Sequence, residues 1–131
     1  MSLWGYRVSV KLIGTAVVVL LLGAFAIALT RPAPREIRLV VRGMAFFLEG
    51  NELPNPIITL KAGERVRVVV RNEERGIKHD FAVPSLDAAL NPIGWNESSD
   101  VTFSVPEAAG VYEYHCRPHQ AMMRGTIVVN R

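Results

Sequence analysis

The chain has 131 residues, 50% hydrophobic, 21% charged and 8% aromatic, with one cysteine and a formal charge of +3. That length holds one ordinary domain, and a lone cysteine excludes an internal disulfide framework. Beyond residue 30 the balance is 13 basic against 12 acidic side chains. The clustered Lys/Arg with stacking aromatics that nucleic acid requires is missing, so nucleic acid is not an expected partner.

The first predicted element is residues 12–29, which contain nothing more polar than Thr15 and lie between Lys11 and Arg31. As a helix this run would be about 27 Å long, close to the roughly 30 Å hydrocarbon core of a bilayer. Ala24-Phe25-Ala26 and Ala26-Ile27-Ala28 offer small-x-small patterns that a signal peptidase accepts. The apolar run exceeds the about 7–15 residues of a signal h-region, which favours a retained anchor in contact with lipid. Arg31, Arg35, Arg38 and Arg42 follow the run, against Arg7 and Lys11 before it. Loop charge alone would hold the following domain in the cytoplasm, but long domains translocate largely regardless of charge. The expected organisation is an anchor over 1–30, a linker over 31–35 stiffened by Pro32 and Pro34, and a folded domain over 36–131.

Within that domain the hydrophobic period is two. Ile37, Leu39 and Val41 alternate with more polar neighbours, as do Val66, Val68 and Val70, and Val101, Phe103 and Val105. Further β-rich runs are 57–60, 80–83, 111–116 and 126–129, and 85–90 has room for one helical turn. Turn residues separate them at Gly50-Asn51, Pro54-Asn55-Pro56, Ala62-Gly63, Asn91-Pro92 and Gly110. Seven or eight short strands, patterned as in antiparallel sheets, predict an all-β sandwich or small barrel.

The chemistry concentrates in Tyr114-His115-Cys116-Arg117-Pro118-His119-Gln120-Ala121-Met122-Met123-Arg124-Gly125, with His79 far upstream at the start of a strand. Taken singly, a buried Cys is a small core hydrophobe and paired Met residues fill gaps. Taken together, one thiolate, two imidazoles and a weak thioether make the trigonal donor set that suits copper cycling between two oxidation states. Zinc is disfavoured because a thioether is a poor fourth donor for a closed structural site. A Cys–His nucleophile pair from Cys116 and His119 leaves His79 and the methionines unexplained.

These residues resemble the cupredoxins, the blue copper proteins that include plastocyanin, pseudoazurin and amicyanin. The resemblance covers 35–131 and includes Thr59-Leu60-Lys61-Ala62-Gly63-Glu64-Arg65-Val66, His79-Asp80-Phe81 and the strand 106–114 that delivers the Cys. It implies a Greek-key β-sandwich holding one type 1 copper ion, with His79, Cys116 and His119 as the strong ligands. For the axial ligand, amicyanin-like spacing of three after the second His points to Met122, and spacing of five reaches Arg124, which cannot serve. The family's habit of placing this Met two residues before a Gly points to Met123, ahead of Gly125, and Met123 is preferred. His115 beside the Cys resembles the arrangement in multicopper oxidases and nitrite reductases, but three His in all are too few for a second copper within one chain. On a strand it faces away from Cys116 and is expected to be structural or superficial.

The resemblance further implies a non-enzymatic one-electron carrier working on the periplasmic side, and the apolar run over 12–29 would anchor it in the membrane there. It would have no small-molecule substrate, and its partners would be redox proteins such as cytochromes or membrane electron-transfer complexes. An accessory subunit of a membrane redox complex and a copper-handling protein are the alternatives. Docking is expected on an apolar patch of Pro118, Ala121 and Met122 around His119, with Pro84 adjacent and Arg117 and Arg124 at a charged rim.

Overall fold

The computed structural model describes Val18, Val19 and residues 32–131. The expected span over 12–29 otherwise lies outside the described residues. Among the described residues, no helix is long and apolar enough to cross a membrane. Pro34–Arg131 forms one compact unit.

Nine strands make up this unit: β1 Arg35–Arg42, β2 Ala45–Leu48, β3 Ile58–Lys61, β4 Arg65–Asn72, β5 Ala82–Val83, β6 Ala88–Ala89, β7 Ser98–Ser104, β8 Gly110–His115 and β9 Arg124–Asn130. They form two sheets, in the order β2-β1-β4-β7 and β3-β9-β8-β5-β6. Alternation decides which face is buried. In β1 Ile37, Leu39 and Val41 point inward, and in β4 Val66, Val68 and Val70 do the same. Across the core they meet Ile58, Leu60, Ile127 and Val129 of the other sheet, so period-two patterning on both sheets closes one sandwich.

The sheets are mixed where alternation suggested antiparallel pairing. β1 pairs with β4 in parallel and β3 with β9 in parallel, while the remaining pairs are antiparallel. Side-chain alternation is the same in either pairing, so the sequence pattern does not distinguish them. β2 follows β1 through the two-residue turn Gly43-Met44, with φ of +52° and +58°. A turn with both central residues at positive φ matches the twist of a hairpin. In place of a helical turn over 85–90, a 3-10 turn spans Pro84–Leu86 and Asp87 breaks it at φ +49°, leading directly into β6.

Candidate metal centre

Two loops at one end of the sandwich carry the expected ligands, and each is fixed by its own hydrogen bonds. At the end of β4, the buried Asn72 side chain donates to Ile77 O at 2.8 Å and Ile93 O at 3.0 Å and accepts from Glu74 N at 2.8 Å. His79 then pairs with Ile93 through both backbone groups. The second loop leaves β8 at Cys116, passes through a 3-10 turn over Arg117–His119 and returns as β9. His119 N donates to Cys116 O at 3.1 Å, Met123 N to His119 O at 2.9 Å, and Cys116 N to Met123 O at 2.9 Å. This compact loop brings Cys116, His119 and Met123 to one place.

His79, Cys116 and His119 converge so that one ligand atom from each lies within 4.8 Å of the others. Cys116 Sγ is 3.5 Å from His119 Nδ1 and 3.8 Å from His79 Nδ1. Nitrogen and sulfur ligands of one first-row metal ion, at about 2.1 and 2.3 Å from it, are separated by roughly 3.6–3.8 Å at tetrahedral or trigonal angles. The donor atoms therefore fit a single ion, and the choice of ion rests on donor softness. Met123 is 0% exposed and packs in the cluster with Cys116, whereas Met122 is 57% exposed. The set of His79, Cys116, His119 and Met123 is that of a type 1 copper site.

The groups around the ligands set their protonation. His79 is fully buried, and burial lowers its pKa below the ordinary value despite the opposing Glu74 carboxylate. Glu74 Oε2 lies 3.1 Å from His79 Nε2 and also accepts from Met44 N at 3.0 Å. A carboxylate only accepts here, so Nε2 carries the proton and the Nδ1 lone pair faces Cys116. Burial likewise raises the pKa of the Cys116 thiol, partly countered by the Asp80 backbone N–H, 3.4 Å from Sγ. Beneath the site, Phe46, Phe81 and Tyr114 pack with ring centroids 5.4–5.8 Å apart. Phe81 lies two residues after His79 and Tyr114 two before Cys116, and both rings are fully buried. Such pairs add about 0.5–1.5 kcal/mol each beyond burial.

His115 is 7% exposed rather than superficial. It points outward from β8, but Pro84, Ser85 and Gln120 border a shallow groove over it, and Glu113 Oε1 lies 3.2 Å from its Nδ1. Pro118, Ala121 and Met122 are exposed around a half-buried His119. Pro84 is exposed as well and lies in the His115 groove. Arg117, expected at the charged rim, keeps a half-exposed side chain but is paired: its Nε donates to Asp80 Oδ2 at 2.6 Å and its Nη2 to Leu90 O at 3.0 Å. Sequence reasoning did not single out Glu74, which sits in what reads as a solvated charge run, Glu73-Glu74-Arg75. It also passed over Asn55, whose Nδ2 donates to Met122 O at 3.0 Å and so ties the segment bearing the exposed Leu53 to the ligand loop.

Among solved structures, auracyanin B shares 20% identity at a TM-score of 0.63, covering 78% of this chain and 94% of that one. Auracyanin A, a "blue" copper protein from Chloroflexus aurantiacus, shares 22% at a TM-score of 0.57, covering 75% of this chain and 100% of that one. An amicyanin variant in its reduced Cu(I) form shares 27% at 0.51, covering 76% of this chain and 87% of its own. No curated protein sequence matches the chain. The Cupredoxin-like domain family matches residues 17–129, and with nearly the whole chain inside that match the protein belongs to this family.

Proposed function

We propose that the protein is a one-electron carrier built on a type 1 copper site, in which His79, Cys116 and His119 would be the strong ligands and Met123 a weak fourth donor. The observation that carries this reading is the convergence of two Nδ1 atoms on one buried thiol, beside a buried methionine. Copper held there supplies a one-electron couple, with thiolate and thioether favouring Cu(I) and imidazole serving both states. The protein's own contribution is rigidity. Glu74 fixes the His79 tautomer, and the hydrogen-bonded loop 116–123 holds its ligands with little freedom to move between oxidation states. His119, half buried and ringed by exposed Pro118, Ala121 and Met122, is the natural exit for the electron towards a partner. A small apolar contact suits a transient redox encounter, which belongs at the low end of interface size.

The carrier is read as anchored through residues 12–29, with the copper domain on the periplasmic side and cytochromes or membrane electron-transfer complexes as partners. The apolar length of that run supports the anchor, and protease added to intact spheroplasts tests it by removing the domain; a protected domain overturns the orientation. Function itself is tested by cycling the copper-loaded protein between oxidant and reductant. A carrier returns to its starting spectrum with one copper retained per chain. Loss of the ion to an apo-acceptor on reduction would instead support copper delivery.

A further inference from the structure

The residue following each of two ligands is a charged one, and the two charges meet. Asp80 follows His79 and is 1% exposed. Its Oδ1 accepts from the backbone N of Arg117 at 2.7 Å and its Oδ2 from Arg117 Nε at 2.6 Å. Arg117 follows Cys116 and spends its remaining reach on Leu90 O. The same Asp80 donates its backbone N–H to Cys116 Sγ. A single buried carboxylate thus touches the thiol through its own main chain and neutralises a guanidinium through its side chain. A neutral amide in place of Asp80 could accept from the Arg117 backbone without bringing a charge. The sequence has instead placed a full anion beside the thiolate and a full cation to cancel it.

We infer that the Asp80–Arg117 pair is a charge-balanced positioning element, in which each charge cancels the other's pull on the reduction potential of the site. The inference rests on the type 1 copper reading. Within it the sign of each change is fixed by electrostatics. A negative charge left without its partner stabilises the more positive, oxidised ion, and a positive charge left alone stabilises the reduced one. The pair as it stands contributes little net field, while each half would contribute with opposite sign.

The test is a cycle of Asp80→Asn, Arg117→Gln and the double variant, each copper-loaded and titrated spectroscopically for potential. Asp80→Asn is expected to raise the Cu(I) to Cu(II) ratio at fixed potential about tenfold, which is 59 mV for a one-electron couple. Arg117→Gln is expected to lower it by a similar factor, and the double variant to return towards wild type. Arg117→Lys, which keeps the charge but not the planar fork, should stay near wild type. Should Asp80→Asn fail to fold, the contrast between Arg117→Gln and Arg117→Lys still decides. Shifts of the same sign in both single variants, or none beyond threefold, would mean the pair only braces the loops. Thermal unfolding of the metal-free proteins supplies a copper-independent readout: non-additive losses are expected if the pair forms without the ion, and additive ones would contradict it. Failure of the wild type to bind copper with a thiolate band would defeat the underlying reading instead.

Discussion

At the scale of single residues the centre is a contest between burial and charge. In the metal-free protein burial favours the neutral forms of His79 and Cys116, lowering the pKa of the first and raising that of the second. The folded pKa of His79 lies below the ordinary 6.5, so the stability tied to its neutral form is present above that pH and is lost as pH falls through the folded value. The folded pKa of Cys116 lies above the ordinary 9.0, so its share is present below that pH and is lost as pH rises through the folded value. The unfolding midpoint of the metal-free protein, followed by circular dichroism, is expected to peak between these two limits; a flat profile from acid to alkali would contradict this. Copper binding displaces the thiol proton, so affinity rises with pH. The two methionines separate cleanly. Met123→Leu should keep the site but raise its potential, because a weak axial thioether tunes more than it holds, while exposed Met122→Leu should change little. The reverse result would assign the axial role to Met122.

At the scale of elements, the join of the ligand loop to the last strand is the tightest point. Tyr114 of β8 is fully buried and donates its hydroxyl to Pro56 O at 2.7 Å. Its ring packs directly on Gly125 of β9, its register partner, where an added Cβ would overlap the ring. Gly125→Ala is therefore expected to destabilise the domain by about 1–3 kcal/mol through overpacking, read from denaturant midpoints. Tyr114→Phe should lose about 1–3 kcal/mol by leaving Pro56 O without its donor. Unchanged stability in Gly125→Ala would show that the ring can move aside, and in Tyr114→Phe that Pro56 O does not depend on the hydroxyl. These contacts also explain what the sequence revealed. Alternation in β1, β4 and β7 was legible because each strand has one wet face. β2 was not, since Ala45-Phe46-Phe47-Leu48 is apolar throughout, and β6 is only two alanines. The ligands were legible from residue type and spacing, because metal chemistry limits the choices. Glu74 and the Arg117–Asp80 pair were not, because an ion pair across distant loops leaves no local pattern.

Over the whole molecule, the two ligand loops share one end of the sandwich with an exposed apolar rim. Arg117 is committed to Asp80, which leaves Arg124 of the two arginines expected to steer an acidic partner. Steering by so few charges predicts a shallow fall of association rate with salt. Ala121→Glu should slow electron exchange with the physiological partner while leaving spectrum and potential nearly unchanged, measured by stopped flow. Unchanged exchange would move docking elsewhere, with the groove over His115 the next surface to probe. The central claim, one type 1 copper held by Cys116 thiolate, is tested most directly by titrating the metal-free protein with Cu(II) and recording visible and EPR spectra. The account predicts an intense thiolate-to-copper band saturating at one ion per chain, a compressed hyperfine pattern, and loss of both in Cys116→Ser with the fold intact. A protein that stays colourless with oxidised copper, or that takes up only zinc, would contradict it.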